Sequence, residues 1–280
     1  MPFYCLSKEQ PLNIHLRYIK DSLEQKRPDF ETQHRDSYYI FLFQSHGEIQ
    51  LMVDFEDVVL KGAGIYFLLP GQVHKLISSK NSSRWLLATE ASNIDRIFEQ
   101  ALEEFHHRLP ISISLNSQYQ FSNVFQTLNE LLKQTTSQQY NNSIISHMIS
   151  VCAGLYVSTY NATQRETKSS NTRPKDIERN FRILLRKNIL LKKSPSDYAN
   201  LLHISPSYLN ECVKKVSGKP VSYWIQQEII LEAKRLLAFT NISIKEMSFQ
   251  LGYSDHAYFS RQFVKIAGIS PSNFRKNYRE

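Results

Sequence analysis

One sequence unit occurs twice in the C-terminal part of this 280-residue chain, from Ser194 to Gly218 and again from Ser243 to Gly268. Each copy begins with a serine that is followed three residues later by an acid, Asp197 or Glu246, which is the pattern of a helix N-terminal capping box. A short helix, a tight turn and a second capped helix follow in both copies. The repeat therefore predicts two helix-turn-helix units in one chain.

Both copies are predicted to bury one face of each helix. The first helix would bury Tyr198, Ala199 and Leu202 in the first copy, and Met247, Ser248 and Leu251 in the second. The turn is His203-Ile204 or Gly252-Tyr253, and Ser205 or Ser254 is the predicted N-cap of the second helix. That helix would bury Leu209, Cys212, Val213 and Val216, or Phe259, Phe263 and Ile266, and would end at the glycine.

An amphipathic helix, about Ser222 to Ala238, lies between the copies. It is roughly 25 Å long at about 1.5 Å per residue. With the width of a unit at each end, it can hold two second helices about 34 Å apart, which is one turn of DNA. One chain could thus read two successive major grooves. The alternative is a plain helical bundle.

Charge is distributed unevenly along the chain. Residues 164–280 contain 21 Lys+Arg against 10 Asp+Glu, whereas residues 1–163 contain 13 against 16. A basic C-terminal half favours a polyanionic partner, because neutralising phosphates releases counterions. Charge alone leaves a solvated basic surface as an equal alternative.

The N-terminal part is predicted to contain strands followed by helices. Turn residues, among them Gly47, Gly62 and Gly71, separate the apolar or alternating segments Tyr38–Phe43, Glu48–Val53 and Gly64–Leu69, which indicates a small β-barrel or sandwich. Helices are predicted over Ile94–His107, Tyr119–Gln134 and Ser143–Tyr160. Their apolar stripes can cover the domain's own core or a partner surface, and both remain open.

The predicted fold class is multidomain α+β, in three parts. Residues 1–162 form a sheet-rich domain with helices, polar residues 163–174 form a linker, and residues 175–280 form an all-α domain with both helix-turn-helix units. The three cysteines are far apart in the sequence, which favours reduced thiols over a disulfide framework. No apolar run approaches the roughly 20 residues of a membrane helix and no secretion signal is evident, so we expect a cytoplasmic protein with no membrane partner.

The second copy resembles the AraC/XylS family of bacterial transcription regulators. The residues that carry the resemblance, with the family's spacing, are Gly252-Tyr253, Asp255, Tyr258-Phe259, Arg261, Phe263, Lys265, Gly268, Ser270-Pro271 and Phe274-Arg275. Ser248 stands where the family usually has alanine. The resemblance extends less distinctly back to about Lys175.

A second resemblance lies upstream, where Gly64 to His74 is similar to the cupin-like β-barrel sensor domain that many members carry. The family implies a sensor and dimerisation domain joined by a flexible linker to a homeodomain-like double helix-turn-helix domain. Its implied partners are double-stranded promoter DNA, a small-molecule effector, RNA polymerase and a second copy of the chain. The expected function is sequence-specific transcription regulation, with activation favoured over repression.

DNA-reading residues are expected on the exposed N-terminal part of each second helix. The predicted base-reading set is Ser207, Asn210, Glu211 and Lys214 in the first copy, and His256, Ala257, Ser260 and Arg261 in the second. The predicted N-caps Ser205 and Ser254 are also expected to bind DNA. Arg261 suits guanine and Asn210 suits adenine, although Arg261 can also serve as a phosphate or intramolecular contact. Glu211 can accept from cytosine or hold a neighbouring cation. The predicted phosphate contacts are Lys214, Lys215, Arg275 and Lys276.

Two alternatives to a sequence-specific regulator are a non-specific DNA-compacting protein and a cupin-type metalloenzyme with an appended DNA-binding domain. The enzyme would require a histidine cluster, but His34-Arg35-Asp36 lacks a second histidine, His74 lacks a third ligand, and His46 lies in an apparent turn. We therefore predict no catalytic residues, metal site or cofactor, and the sequence assigns no effector-binding residues. Tyr38, Tyr39, Phe41 and Phe43 can line an effector pocket or, as we favour, form ordinary core.

Overall fold

The computed structural model describes residues 12–21, 33–105, 109–133, 140–165 and 173–279. The chain forms two compact units that divide between Lys168 and Ser169. The described part of the first unit is rich in strands and contains helices at its C-terminal end, and the described part of the second unit is helical. The predicted linker, residues 163–174, lies mostly outside the described residues.

The first unit begins with strands and ends with helices. The strands are β1 Ile14–Lys20, β2 His34–Arg35, β3 Tyr39–Val53, β4 Glu56–Lys61, β5 Gly64–Leu68, β6 Val73–Thr89 and β7 Ile111–Ser112. The helices are α1 Arg96–Glu104, α2 Leu115–Lys133 and α3 Asn141–Arg165, with a short 3₁₀ turn at Ala91–Asn93. The three predicted helices are therefore present, with shifted ends, and the predicted residues 106–107 lie outside the described part.

The long strands β3 and β6 organise the sheet. They pair antiparallel along most of their length, and the main path across the sheet is β1-β6-β3-β5-β7, with β2 beside β6 and β4 beside β3. Register shifts between Gln44 and Glu48 divide β3 into two halves. The first half pairs with β5 and the second with β4.

The predicted turn at Gly47 is wrong, because β3 runs through it and includes His46. Gly47 has φ +93°, and a Cβ there would lie 2.3 Å from the Asn81 carbonyl oxygen, so an irregularity in the strand requires glycine at this position. The buried Gln44 side chain stabilises this part of the sheet by donating to the carbonyls of Gly47, Leu60 and Gly62. An isolated glycine thus marks a bulge within one strand.

Alternating strand residues build two apolar clusters, one on each face of the sheet. The cluster on the helix-covered face includes Tyr39, Phe41 and Phe43 with Phe121 and Phe125 of α2 and Tyr156 of α3. The other cluster contains Leu42, Ile49, Val53, Val58, Leu60, Tyr66 and Leu68. The structure therefore assigns three of the four aromatic strand residues to ordinary core, as favoured, while Tyr38 is only half-buried.

Helix α3 departs from the sequence analysis in two ways. Its segment Asn141–Thr163 is long and apolar enough to cross a membrane by length and composition alone. However, 44% of its most apolar 18-residue stretch is buried in the protein. Ile145 and Cys152 pack into the core, whereas Ile144 and Val151, which were predicted on the same stripe, are 43% and 49% exposed. The thiols of Cys152 and Cys212 are both free. Burial raises the pKa of the Cys152 thiol.

The β2–β6 pairing corrects the sequence analysis of the histidines. His34 is the direct cross-strand partner of His74, and Asp36 follows two residues after His34. The three side chains are buried side by side. His74 was predicted to lack a third ligand because the pairing of β2 with β6 cannot be seen in the linear sequence.

The described helices of the second unit follow one another with short connections. They are α4 Arg173–Asn188, α5 Pro195–Leu201, α6 Pro206–Ser217, α7 Val221–Phe239, α8 Ile244–Gln250, α9 His256–Ala267 and α10 Pro271–Arg279. The two predicted units correspond to α5–α6 and α8–α9. The predicted connecting helix corresponds to α7, which is about 28 Å long.

Candidate nucleic-acid interface

Both helix-turn-helix units begin with the predicted capping boxes. The Ser194 hydroxyl accepts from the backbone N–H of Asp197, and the Asp197 carboxylate accepts from the backbone N–H of Ser194 at 2.9 Å. Ser243 and Glu246 repeat this arrangement at the start of α8. These hydrogen bonds lower the pKa of both acids, with the serine backbone N–H as the largest cause in each case.

The first helix of each unit packs closely on its neighbours through a small residue. Ala199 and Ser248 are both completely buried, and Tyr198 and Met247 beside them are also buried. The Ser248 hydroxyl donates to the carbonyl of Lys245, so its polar atom is satisfied within the helix. The substitution of serine for the family's usual alanine is thus accommodated without an unpaired group.

The second helices, α6 and α9, are fixed by their caps and apolar faces. Ser205 caps α6, as predicted, by accepting from the backbone N–H of Tyr208. Both helices end at a left-handed glycine, with φ +73° at Gly218 and +77° at Gly268. The buried residues of the two helices are Leu209, Cys212, Val213, Phe259 and Phe263. Val216 was also predicted to be buried but is 39% exposed, and Ile266 is partly buried.

The predicted N-cap Ser254 is wrong. Asp255 is the N-cap of α9, and its carboxylate accepts from the backbone N–H of Ala257 at 2.8 Å. Serine and aspartate are both strong N-caps, so two adjacent candidates could not be ranked from sequence preference alone. Ser254 is exposed one residue before the cap.

Most predicted base-reading residues are exposed at the N-terminal parts of α6 and α9. They are Ser207 and Glu211 on α6, and His256, Ala257 and Arg261 on α9. Lys214, which was predicted with them, is also exposed but lies in the last turn of α6. Ser260 is partly buried, and its hydroxyl donates back to the carbonyl of His256. The Arg261 guanidinium lies 6.0 Å from the ring centroid of Tyr258. Tyr258 was not among the predicted contact residues, although its position three residues before Arg261 on one helix places the two side chains together.

Two predicted contact residues make intramolecular hydrogen bonds instead. The Asn210 side-chain oxygen accepts from the backbone N–H of Val221 at 3.1 Å, which joins α6 to the start of α7. This bond uses one of the two lone pairs on the oxygen that a bidentate contact with adenine would also need. The Arg275 guanidinium donates to the carbonyl of Ile242 at 2.6 Å and is partly buried, which does not fit a freely available phosphate contact.

Lys193 connects the two helix-turn-helix units within the C-terminal unit and was not predicted from the sequence. Its ammonium donates to the carbonyl of Gln250 at 3.2 Å, at the end of α8. Gly252 has φ +82°, and a Cβ there would lie 2.5 Å from the Lys193 nitrogen. Burial lowers the pKa of Lys193. This contact joins residues 57 positions apart, which no local pattern reveals.

Helix α4 supports the first helix-turn-helix unit. The Arg182 guanidinium lies 3.2 Å from the ring centroid of Trp224 and is paired with Glu178 at 3.0 Å, and Phe181 makes an edge contact with the ring of Tyr198. In the second helix-turn-helix unit, Phe274 of α10 packs against Phe263. Each helix-turn-helix is therefore supported by a further helix, and the described C-terminal unit is a double helix-turn-helix with its second helices exposed.

This arrangement defines the class of protein, because a capped and exposed second helix on a basic body is suited to the major groove of DNA. Residues 198–277 match the helix-turn-helix domain family, and residues 22–149 match the AraC-like ligand binding domain family. The chain belongs to the AraC family of transcription regulators. It is a DNA-binding regulator with a ligand-binding domain.

Two relatives match over most of this chain, and a third matches over a shorter part. The uncharacterized HTH-type transcriptional regulator YfiF of Bacillus subtilis is 24% identical over 88% of this chain and 79% of its own length. The Msm operon regulatory protein of Streptococcus mutans is 26% identical over 86% of this chain and 85% of its own length. The arabinose operon regulatory protein of Escherichia coli is 38% identical, but over only 28% of this chain and 26% of its own length.

Among solved structures, ToxT of Vibrio cholerae is similar over 94% of this chain and 97% of that protein, with 14% identity and a TM-score of 0.41. The relatives named above are transcription regulators. The expectation that this chain is not an enzyme agrees with these matches.

Proposed function

We propose that the protein activates transcription by reading two successive major grooves of a promoter with α6 and α9 of one chain. The observation that carries the proposal is the duplicated unit, in which both second helices expose their N-terminal side chains. Arg261 is the principal base-reading residue in this proposal, since a guanidinium can bond guanine bidentately. Ser207, Glu211, His256 and Ala257 are the other proposed base-proximal residues, because all four are exposed.

Lysines supply the phosphate contacts in this proposal. Lys214 and Lys215 in the last turn of α6, and Lys276 on α10, are exposed. Such contacts position the protein without specifying sequence. The serines Ser205 and Ser254, exposed beside the starts of α6 and α9, complete the proposed interface.

The N-terminal unit is the proposed site of effector binding and homodimer formation. The apolar side chains Leu115 and Tyr119 of α2 and Ile144 and Val151 of α3 are 85%, 68%, 43% and 49% exposed. Exposed apolar residues on two helices support a contact with a second copy of the chain. The proposed location is the cytoplasm, where promoter DNA and RNA polymerase would be its partners.

Selection of bound fragments from genomic DNA, followed by sequencing, tests the proposal. We expect recovery of a preferred site that binds at least about 1,000-fold more tightly than unrelated DNA at physiological salt. Equal affinity for all fragments would instead indicate a DNA-compacting protein. A reporter gene behind the recovered promoter then tests activation, and we expect higher expression when the protein is present. Lower expression would indicate repression.

A further inference from the structure

The buried cluster of His34, Asp36 and His74 in the N-terminal unit has the composition of a metal-binding site. One ligand atom from each side chain lies within 4.8 Å of the other two. The Nε2 atoms of His34 and His74 lie 3.6 Å and 3.3 Å from the same carboxylate oxygen, Oδ2 of Asp36. Only 11%, 3% and 10% of the side chains of His34, Asp36 and His74 are exposed.

The sheet itself fixes this arrangement. His34 and His74 are directly opposite each other in the β2–β6 pair, and their ring centroids are 4.2 Å apart. Asp36 is two residues further along the same extended segment as His34, so both side chains project from one face. The backbone carbonyl of Asp36 accepts from the backbone N–H of Gly71 at 2.7 Å, which connects this segment to the turn before β6.

The two nitrogen-to-oxygen distances fit ligands of a common ion better than they fit hydrogen bonds. A charge-assisted N–H···O hydrogen bond would be about 2.7–2.9 Å long, which is shorter than both contacts. Ligands about 2.0–2.2 Å from a tetrahedral metal lie about 3.3–3.6 Å from each other. Both buried carboxylate oxygens of Asp36 also lack a hydrogen-bond partner among the described residues, which is costly for an ionised group.

A second shell of interactions orients His74. Its Nδ1 atom lies 3.2 Å from the carbonyl oxygen of Gln72, so an N–H there would donate to that carbonyl and leave Nε2 as the ligand atom. The side-chain amide of Gln72 donates to Asp54, and the other oxygen of Asp54 accepts from the backbone N–H of Val73. The imidazole is therefore held by a network that connects the start of β6 with the turn after β3.

We propose that His34, Asp36 and His74 bind one divalent transition-metal ion in the N-terminal unit. Two imidazoles and a carboxylate suit zinc and its first-row neighbours rather than magnesium or calcium, which prefer oxygen ligands. Three protein ligands leave at least one coordination position for water or an external ligand. The proposal is independent of the DNA-reading residues, so either can fail without the other.

The test uses the full-length chain, stripped of metal with a chelator and then titrated with Zn²⁺ or Co²⁺. We expect one bound ion per chain by equilibrium dialysis, and a visible Co²⁺ absorption band typical of a low-coordinate site. Asp36→Asn and His74→Gln should each weaken Zn²⁺ binding at least about tenfold, because each removes a direct ligand. The matched control His147→Gln removes an exposed histidine of α3 and should leave binding unchanged.

Substoichiometric binding, or equal affinity of the wild type and Asp36→Asn, would overturn the proposal. Circular dichroism of the metal-free variants checks that they are folded. If both variants fail to fold, NMR of the wild type with Co²⁺ replaces the comparison. Paramagnetically shifted signals from the rings of His34 and His74 would support the site, and their absence would refute it.

Discussion

Arg261 and Lys276 represent two kinds of DNA contact that a single residue can make. Arg261 lies on the exposed side of α9 near the ring of Tyr258, which restricts its side chain through a weak cation–π contact. Lys276 is exposed on α10. We therefore expect Arg261 to contribute to sequence discrimination and Lys276 to contribute only charge.

Replacing Arg261 with alanine should lower affinity for the preferred site by about 1–3 kcal/mol while largely preserving non-specific binding. Lys276→Ala is the matched control and should weaken binding on every sequence by a similar factor. Fluorescence anisotropy with specific and scrambled duplexes measures both effects. A loss in Arg261→Ala that is equal on the two duplexes would exclude a base-reading role.

Gly252 and His203 occupy the same position in the two copies of the unit. Both have left-handed backbones, with φ +82° and +53°. Gly252 also has the Lys193 side chain directly above its α-carbon, whereas His203 is exposed. Gly252→Ala should therefore destabilise the C-terminal unit by about 1–2 kcal/mol from backbone strain alone.

Urea unfolding measures that loss, and His203→Gly is its control. Glycine relieves the strain of the left-handed turn, so His203→Gly should not destabilise by more than a few tenths of a kcal/mol. If His203→Gly destabilised the unit as much as Gly252→Ala, left-handed strain would not be the cause.

Several residue roles were predicted from helical position and are different in the structure. Asn210 and Arg275 lie on helices of the predicted interface, but their side chains bond to Val221 and Ile242, which are 11 and 33 positions away. Helical periodicity identifies an exposed face. It does not identify which polar side chains on that face already have a tertiary partner.

Elements defined by local chemistry were predicted well. Both capping boxes depend on two residues three positions apart, and both glycine C-caps depend on a single residue, so these boundaries followed from the sequence. The start of α9 did not, because Asp255 and not Ser254 is its N-cap. The long strand β3 was instead predicted as two strands, because a glycine in a bulge and a glycine in a turn look the same in a sequence.

The capping box at α5 predicts a specific pH dependence. The pKa of Asp197 is below its usual value of 3.8 because the ionised carboxylate accepts hydrogen bonds from Ser194 and, more weakly, Lys193. Its stabilising contribution is present above that value and is lost as the pH falls through the lower folded-state pKa. Asp197→Asn should therefore reduce the free energy of unfolding at neutral pH, with the difference shrinking below about pH 4.

Unfolding of the wild type and Asp197→Asn between neutral pH and about pH 3 provides the measurement. Asp176→Asn is a suitable control, since Asp176 is a partly exposed acid at the start of α4 that forms an ion pair with Arg179 at 3.4 Å and is not part of a capping box. A difference for Asp197→Asn that stays constant across the range would contradict the assigned role of its charge.

On the scale of the whole molecule, α4 lies before the residues that match the helix-turn-helix domain family and yet belongs to the C-terminal unit. Its contacts with α5 and α7 include a buried aromatic pair and a buried cation–π contact. A fragment of residues 169–280 should therefore unfold cooperatively. A fragment of residues 190–280 should lose cooperative unfolding, which calorimetry can detect. Equal cooperativity of both fragments would mean that α4 is dispensable.

The two-unit organisation and the helical C-terminal unit were predictable from charge, periodicity and the repeat. The cluster of His34, Asp36 and His74 was not predictable, because the two histidines are 40 positions apart and are brought together only by strand pairing. Sequence motifs for metal sites depend on ligands that are close together in the sequence, and the ligands on β2 and β6 are not.

The central claim is that α6 and α9 of one chain read adjacent major grooves on one face of the duplex. Inserting base pairs between the two halves of the preferred site tests it directly. An insertion of about half a helical turn should abolish specific binding, because the α7 connection cannot follow the rotated half-site. Specific binding that is unaffected by any insertion would contradict the claim, because only one helix would then be reading the DNA.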